Sequence, residues 1–180
     1  MRGMFLLHLT VLLLETQNFI LSSIETMLKL ISVSILLLLT AFSTINFGGT
    51  VISVSDGDTI TVLKADKTSV KIRLEGIDCP EGKQDFGTRA KQATSQLCYG
   101  KKVRVRKSGE DRYGRTLAMV YVGDLCLNKE LLRQGMAWHY KKYNKDPKLA
   151  RLENKARAAK IGLWAMGNAV APWEFRRVKK

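Results

Sequence analysis

Past Gly49 the chain alternates apolar and polar positions with a period of two, which marks a run of short strands. The stretches "TVISVSDGD" (50–58) and "TITVLKADKTSVKIRLEGI" (59–77) set β-branched against polar residues, with Ala65 to Thr68 as a hairpin turn. On the second arm Lys71, Arg73 and Glu75 share one face and Ile72 and Leu74 the other. Arg73 therefore projects from a strand whose opposite side feeds the core. In "FGTRAKQATSQLCYG" the period changes: Ala90, Ala93, Leu97 and Cys98 recur at helical spacing, and Gly100 supplies a stop. Strand alternation returns in "KKVRVRK" and "TLAMVYVGDLCLN", with Gly123-Asp124 turning the chain. The segment "NKELLRQG" predicts a short helix stopped by Gly135. A last helix, in "DPKLARLENKARAAKIGLW", opens on Asp146-Pro147 and carries Leu149, Leu152, Ala156 and Ala159 along one stripe. The order β-β-β-α-β-β-α-α predicts an α+β fold, mainly β: a five-stranded closed barrel of the oligonucleotide-binding (OB) type with about three helices packed outside.

The first 43 residues follow a different pattern and read as a signal peptide or N-terminal hydrophobic segment. From Met27 the chain runs "MLKLISVSILLLLTAFS", with a lysine, an uncharged run from Leu30 to Phe42, then small residues. That run is 13 residues, within the roughly 7–15 of a secretory core and short of the roughly 20 that span a bilayer. Cleavage is expected near Ser43–Thr44, leaving 44–180 as one domain that is secreted or periplasmic. A second apolar stretch, Phe5 to Leu14, precedes this signal, so Met27 is a candidate start. The rival expectation is an uncleaved anchor that keeps the domain on a membrane.

Charge changes the picture next. The formal net charge is +14, and residues 1–43 contribute none of it, because Arg2 and Lys29 offset Glu15 and Glu25. The excess on 44–180 predicts attraction to a polyanion, either nucleic acid or an anionic membrane surface. Three cysteines, Cys79, Cys98 and Cys126, follow the leader, and export would allow a disulfide between two of them. None has C-x-x-C spacing, and the one histidine after the leader, His139, sits in an aromatic, basic stretch, so nothing supports a zinc site or a Cys-His catalyst. No G-x-S-x-G occurs either.

Against this basic background, "VSDGDTITVLKADKTSVKIRLEGIDCPE" (54–81) gathers Asp56, Asp58, Asp78 and Glu81 around Arg73. Turn chemistry explains Asp, Gly and Pro there singly. An EF-hand loop fails, since Thr61 stands where Gly is required and Lys67 where the closing Glu belongs. A cation site beside a phosphate site accounts for the group as a whole. A guanidinium meets planar phosphate oxygens in bidentate fashion, and carboxylates with carbonyls and waters suit a hard divalent cation.

The pieces "DGDT" (56–59), "IRLEGIDCPE" (72–81), "RYGRTLAMVY" (112–121) and "NKELLRQGMA" (128–137) resemble, in order and spacing, the staphylococcal nuclease-like (thermonuclease) family. The resemblance covers about 51–166 and implies an OB-fold domain that cleaves DNA and RNA with calcium. Position by position it implies Asp58 and Asp78 as calcium ligands, with the backbone carbonyl of Cys79 as a further ligand and Asp56 acting from behind them. It further implies Glu81 as the residue that orients or deprotonates the attacking water, and Arg73 and Arg115 as the grip on the scissile phosphate. Tyr113 matches a tyrosine at the nucleotide phosphate, and Tyr140 or Tyr143 an aromatic wall for the base. Two departures stand out: Cys79 replaces a threonine, and the segment "GKQD" after Glu81 is short beside the mobile loop of the best-known member. The expected protein is a monomeric nuclease that favours single strands. The alternative is a non-catalytic OB module in which "KKVRVRK" and "FRRVKK" track phosphates and Tyr or Trp stack on bases. Binding to anionic lipid would use the same positive charge without the acidic cluster.

Overall fold

The computed structural model describes residues 17, 20–34 and 46–178. The chain divides into two units, 1–43 and 44–180. In the first, residues 20–34 form an exposed helix, α1. Most of the run from Leu30 to Phe42, together with the expected cleavage point, lies outside the described residues. No helix among the described residues is long and apolar enough to cross a membrane.

The second unit is built on five strands: β1 (Asn46–Asp56), β2 (Thr59–Lys64), β3 (Ser69–Leu74), β5 (Lys102–Glu110) and β6 (Thr116–Val122). They lie in the order β3-β2-β1-β5-β6. A parallel pairing of β3 with β6, Ile72 opposite Thr116 and Leu74 opposite Ala118, joins the two ends and closes the barrel. Ile60, Val62, Ile72, Val105 and Val120 are fully buried, so the period-two pattern fills the interior as the alternation predicts. On β5 the buried Val103 and Val105 alternate with exposed Lys102, Arg104 and Arg106, which set a basic stripe on the outer face. Register shifts bend β1 between Val51 and Ser53 and again between Val54 and Asp56.

Among the described residues four α-helices accompany the barrel, α2 (Gly87–Cys98), α3 (Leu127–Arg133), α4 (Pro147–Ala158) and α5 (Pro172–Val178), with a 3-10 turn at Gly162–Ala165. The first three stand where the sequence puts them, and Asp146 caps α4 by accepting from Lys148 N at 2.8 Å, with Pro147 at its first turn. The fourth, α5, is additional, because its seven residues are too short for an apolar stripe. A second, two-strand sheet pairs β4 (Ile77–Asp78) with β8 (Trp138–His139), and β7 (Leu125–Cys126) folds back to pair antiparallel with the end of β6. A second apolar cluster forms from Trp138, Leu163 and Ala171, packed by Phe86, Trp164 and Trp173.

Asn128 joins helix to barrel. Fully buried, it accepts from Val120 N at 3.0 Å and donates to Glu75 O at 2.9 Å and Ala118 O at 3.1 Å. Its replacement removes the side-chain acceptor of Val120 N and the side-chain donor to Glu75 O, while Ala118 O still accepts from Glu75 N at 2.9 Å; a buried group left unpaired is costly. Asn128→Ala is expected to destabilise the protein by about 2–4 kcal/mol, read from the urea unfolding midpoint.

Candidate functional site

The site begins at the β1–β2 turn. Asp56 pairs opposite Thr59, so Gly57 and Asp58 form a two-residue turn, and Asp56 Oδ1 accepts from Asp58 N at 3.1 Å. That is ordinary turn chemistry. Two further contacts fix the turn against the rest of the protein: Thr94 of α2 donates to Gly57 O at 2.6 Å, and Cys79 N donates to Asp58 Oδ2 at 2.8 Å. A Cβ on Gly57 would fall 2.7 Å from Cys79 Cβ and 2.9 Å from Ala90 Cβ, so the Cys79 side chain packs directly beneath the turn.

The register of β2 with β3 places Arg73 opposite Thr59, one residue from Asp58. Its guanidinium reaches Asp58 Oδ2 at 2.9 Å and Asp78 Oδ1 at 2.7 Å. It also donates to the carbonyls of Leu74 and Ile77 at 3.1 and 3.0 Å. Both carboxylates are buried, Asp78 at 1% exposure. Burial pushes the Asp58 carboxyl up to about 8, against the pull of Arg73, with Asp56 and Asp78 adding to the rise. Burial and then the charge of Asp58 raise the Cys79 thiol well above its ordinary value, so it stays protonated and inert. All three cysteines are free thiols, and Cys98 donates to Thr94 O at 3.1 Å.

Glu81 stands at the open side of this group, its side chain 41% exposed. Its backbone is pinned by Gln84, which donates from its N to Glu81 O at 2.8 Å and accepts from Glu81 N through Oε1 at 3.1 Å. Arg115 approaches from the β5–β6 turn. Its Nε pairs with Asp111 Oδ2 at 2.7 Å, and its Nη1 lies 3.5 Å from Thr59 Oγ1. Slight burial works against the charge on Asp111, but hydrogen bonds from Arg115 and Tyr113 hold its carboxyl below the ordinary range. Tyr113 projects into solvent with the Arg115 guanidinium 5.6 Å from its ring.

The structure thus brings Asp56, Asp58, Arg73, Asp78, Cys79 and Glu81 together, with Arg115 and Tyr113 adjacent through Thr59. Tyr140 and Tyr143 contact each other edge to face at 4.8 Å, just past β8, whose Trp138 pairs with the backbone of Asp78. There Tyr140 lies parallel to Trp173 at 5.3 Å, lining a groove of about 610 Å³ with Lys141, Arg176 and Arg177. His139, also at this groove, is a buried packing residue.

Three participants escape sequence reasoning: Asp111, Trp173 and above all Arg176. Arg176 Nη2 lies 2.7 Å from Asp78 Oδ2 and its Nη1 2.6 Å from Glu81 Oε1. Burial opposes its charge, yet hydrogen bonds from it to Asp78 and Glu81 raise its pKa further above the ordinary guanidinium value. In "RYGRT" the aspartate immediately before the stretch is the signal for Asp111; for Arg176 the sequence offers only a basic tail.

Among the described residues, no group of three or more His, Cys, Asp or Glu side chains has the spacing of a metal cage. The two carboxylates that converge on the Arg73 guanidinium are nonetheless a hard oxygen pair already arranged around one positive charge, which suits a hard cation whose remaining ligands are carbonyls and waters.

Residues 71–166 match the family described as staphylococcal nuclease homologue. An "uncharacterized endonuclease" of Haemophilus influenzae is 46% identical over 130 residues, covering 72% of this chain and 73% of its own. A "micrococcal nuclease" of Shigella flexneri is 37% identical over 164 residues, covering 85% of this chain and 94% of its own. A "probable staphylococcal-like nuclease" of Oryza sativa subsp. japonica is 38% identical over 130 residues, which is 72% of this chain and 34% of the plant protein.

Gly87 offers a local test of how Glu81 is held. A Cβ there would collide with the Glu81 carbonyl oxygen and approach Gly82 Cα to 3.0 Å, and both are backbone atoms that cannot step aside. Gly87→Ala is expected to lower stability by about 1–3 kcal/mol in thermal unfolding. Gly82→Ala, with open space around it, should stay near wild type.

Proposed function

The chain belongs to the staphylococcal nuclease homologue family, and on that premise we propose that it is an exported, calcium-dependent nuclease hydrolysing phosphodiester bonds of DNA and RNA. The observation that carries this reading is the convergence of buried Asp58 and Asp78 on one guanidinium, with Glu81 beside them. Export rests on "MLKLISVSILLLLTAFS". The domain would act as a monomer on single strands and frayed duplex, where an unstacked base can reach Tyr140 or Tyr143.

In this reading Asp58, Asp78 and the main-chain carbonyl of Cys79 hold calcium, and Asp56 steadies Asp58 from behind through the turn. Calcium there supplies positive charge beside a phosphodiester anion that otherwise repels a nucleophile. Arg73 and Arg115 face the phosphate oxygens, where guanidinium groups gain most as negative charge builds in the transition state. Glu81 orients the attacking water and takes its proton as the new P–O bond forms and the bond to the leaving oxygen breaks. Tyr113 flanks the phosphate beside Arg115. A non-catalytic binder would have use for the basic stripe on β5 but none for a buried carboxylate pair with Glu81 at its mouth.

Purified protein should degrade single-stranded DNA with calcium and stop when a chelator is added; absence of calcium-dependent cleavage from about pH 7 to 10 leaves the binding module as the reading. Glu81→Ala and Arg73→Ala should each lower kcat by about 10²–10³-fold, with near-UV circular dichroism reporting whether the fold survives. A carboxyl raised to about 8 binds a proton that the cation must displace at lower pH. Calcium affinity should therefore weaken by about tenfold for each pH unit below 8 and level off above it, measured by calorimetric titration.

A further inference from the structure

The family match ends at residue 166, yet α5 lies beyond it and delivers Arg176 to the acidic pair. The helix is anchored on both sides of the site. Trp173 packs edge to face on Trp138 at 5.5 Å and parallel to Tyr140, while Gln84, just past Glu81, donates to Val170 O at 2.6 Å. Arg176 is therefore held where it is by the fold and by three carboxylate oxygens, the longest contact being 3.4 Å to Asp78 Oδ1.

With Arg176 in place, both oxygens of Asp78 face a guanidinium, Oδ1 that of Arg73 and Oδ2 that of Arg176. A calcium ion takes carboxylate oxygens at roughly 2.3–2.6 Å, and a second cation in contact with the same oxygens opposes it. One arginine must give way. Arg73 is the fixed one: its side chain is 12% exposed and two carbonyls hold it in addition to the carboxylates. Arg176 is the movable one, 42% exposed and, among the described residues, hydrogen-bonded to Asp78 and Glu81 alone.

We propose that Arg176 is a built-in counter-ion of the active site, a tethered guanidinium that holds Asp78 and Glu81 while the divalent cation is absent and competes with it for them. Through this one residue α5 sets how much metal the protein requires. The inference rests on the calcium reading above. It adds a specific competitor to it, from a helix beyond the matched residues 71–166.

The test is a calorimetric titration of calcium alone into the full chain and into its R176Q, R176K and R177Q forms. R176Q should bind calcium about tenfold tighter or more, because the competing charge is removed from contact. R176K should fall between, since an ammonium group cannot span two carboxylates as a guanidinium does. R177Q, which removes the same charge one residue away, should stay within about twofold of wild type, as expected for a screened charge out of contact. Equal or weaker binding by R176Q overturns the proposal, and so does an R177Q gain as large as that of R176Q. Should R176Q fail to fold, R176K carries the test, and no gain in its affinity overturns the proposal. Calcium binding by wild type without a gain on substitution sinks this inference alone, whereas no binding by any form sinks the calcium reading with it.

Discussion

The structure is organised around one buried ion group, Arg73 between Asp58 and Asp78. Taking charges out of water is expensive, and removing one partner of a buried pair commonly costs about 3–5 kcal/mol. Each neighbouring element can be read as meeting part of that demand. Cys79 N donates to Asp58, the carbonyls of Leu74 and Ile77 accept from Arg73, and Thr94 of α2 ties down the Gly57 carbonyl. The β2–β3 register that lines the barrel interior with Ile60 and Ile72 also sets Thr59 opposite Arg73. Core packing and site geometry are two results of the same register. A one-residue slip would turn Arg73 into the barrel and destroy both.

Much of this was readable from the chain. Strand alternation with β-branched residues gave the five barrel strands, and helical spacing with Gly100, Gly135 and Asp146-Pro147 gave the ends of α2, α3 and α4. Those signals are local, which is why they are legible. Three of the four motif pieces lie at turns and strands of the barrel, and the fourth, "NKELLRQGMA", is α3 with its Gly135 stop. Arg176 was invisible for the opposite reason: its partners Asp78 and Glu81 lie 98 and 95 residues away, and nothing in "FRRVKK" distinguishes a guanidinium lodged against carboxylates from a solvated basic tail. Asp111 went unnoticed because "RYGRT" already reads as a hairpin turn, and a turn aspartate needs no further reason. Cys79, which stands where a threonine is expected, is a free buried thiol packed directly beneath Gly57 of the "DGD" turn.

Charge is distributed in opposition. The whole excess lies on 44–180, with Lys102, Arg104 and Arg106 striping the outer face of β5, while Asp56, Asp58, Asp78 and Glu81 gather about Arg73 and Arg176. A polyanion is drawn to the surface as a whole by long-range attraction, which salt weakens. The carboxylates repel it locally unless cations stand between. Arg73, Arg115 and Arg176 are the cations the chain itself supplies there, and each is paired with an acid.

All three tryptophans of the chain, Trp138, Trp164 and Trp173, belong to the cluster that seats α5, and the barrel core has none. Arg157 lies 4.5 Å from one of the first two rings and 3.7 Å from the other. Indole emission therefore reports on the seat of the last helix and not on the barrel. An optical signal from this protein follows the docking of its C-terminus, and a loss of that signal need not mean that the β-sheet has come apart.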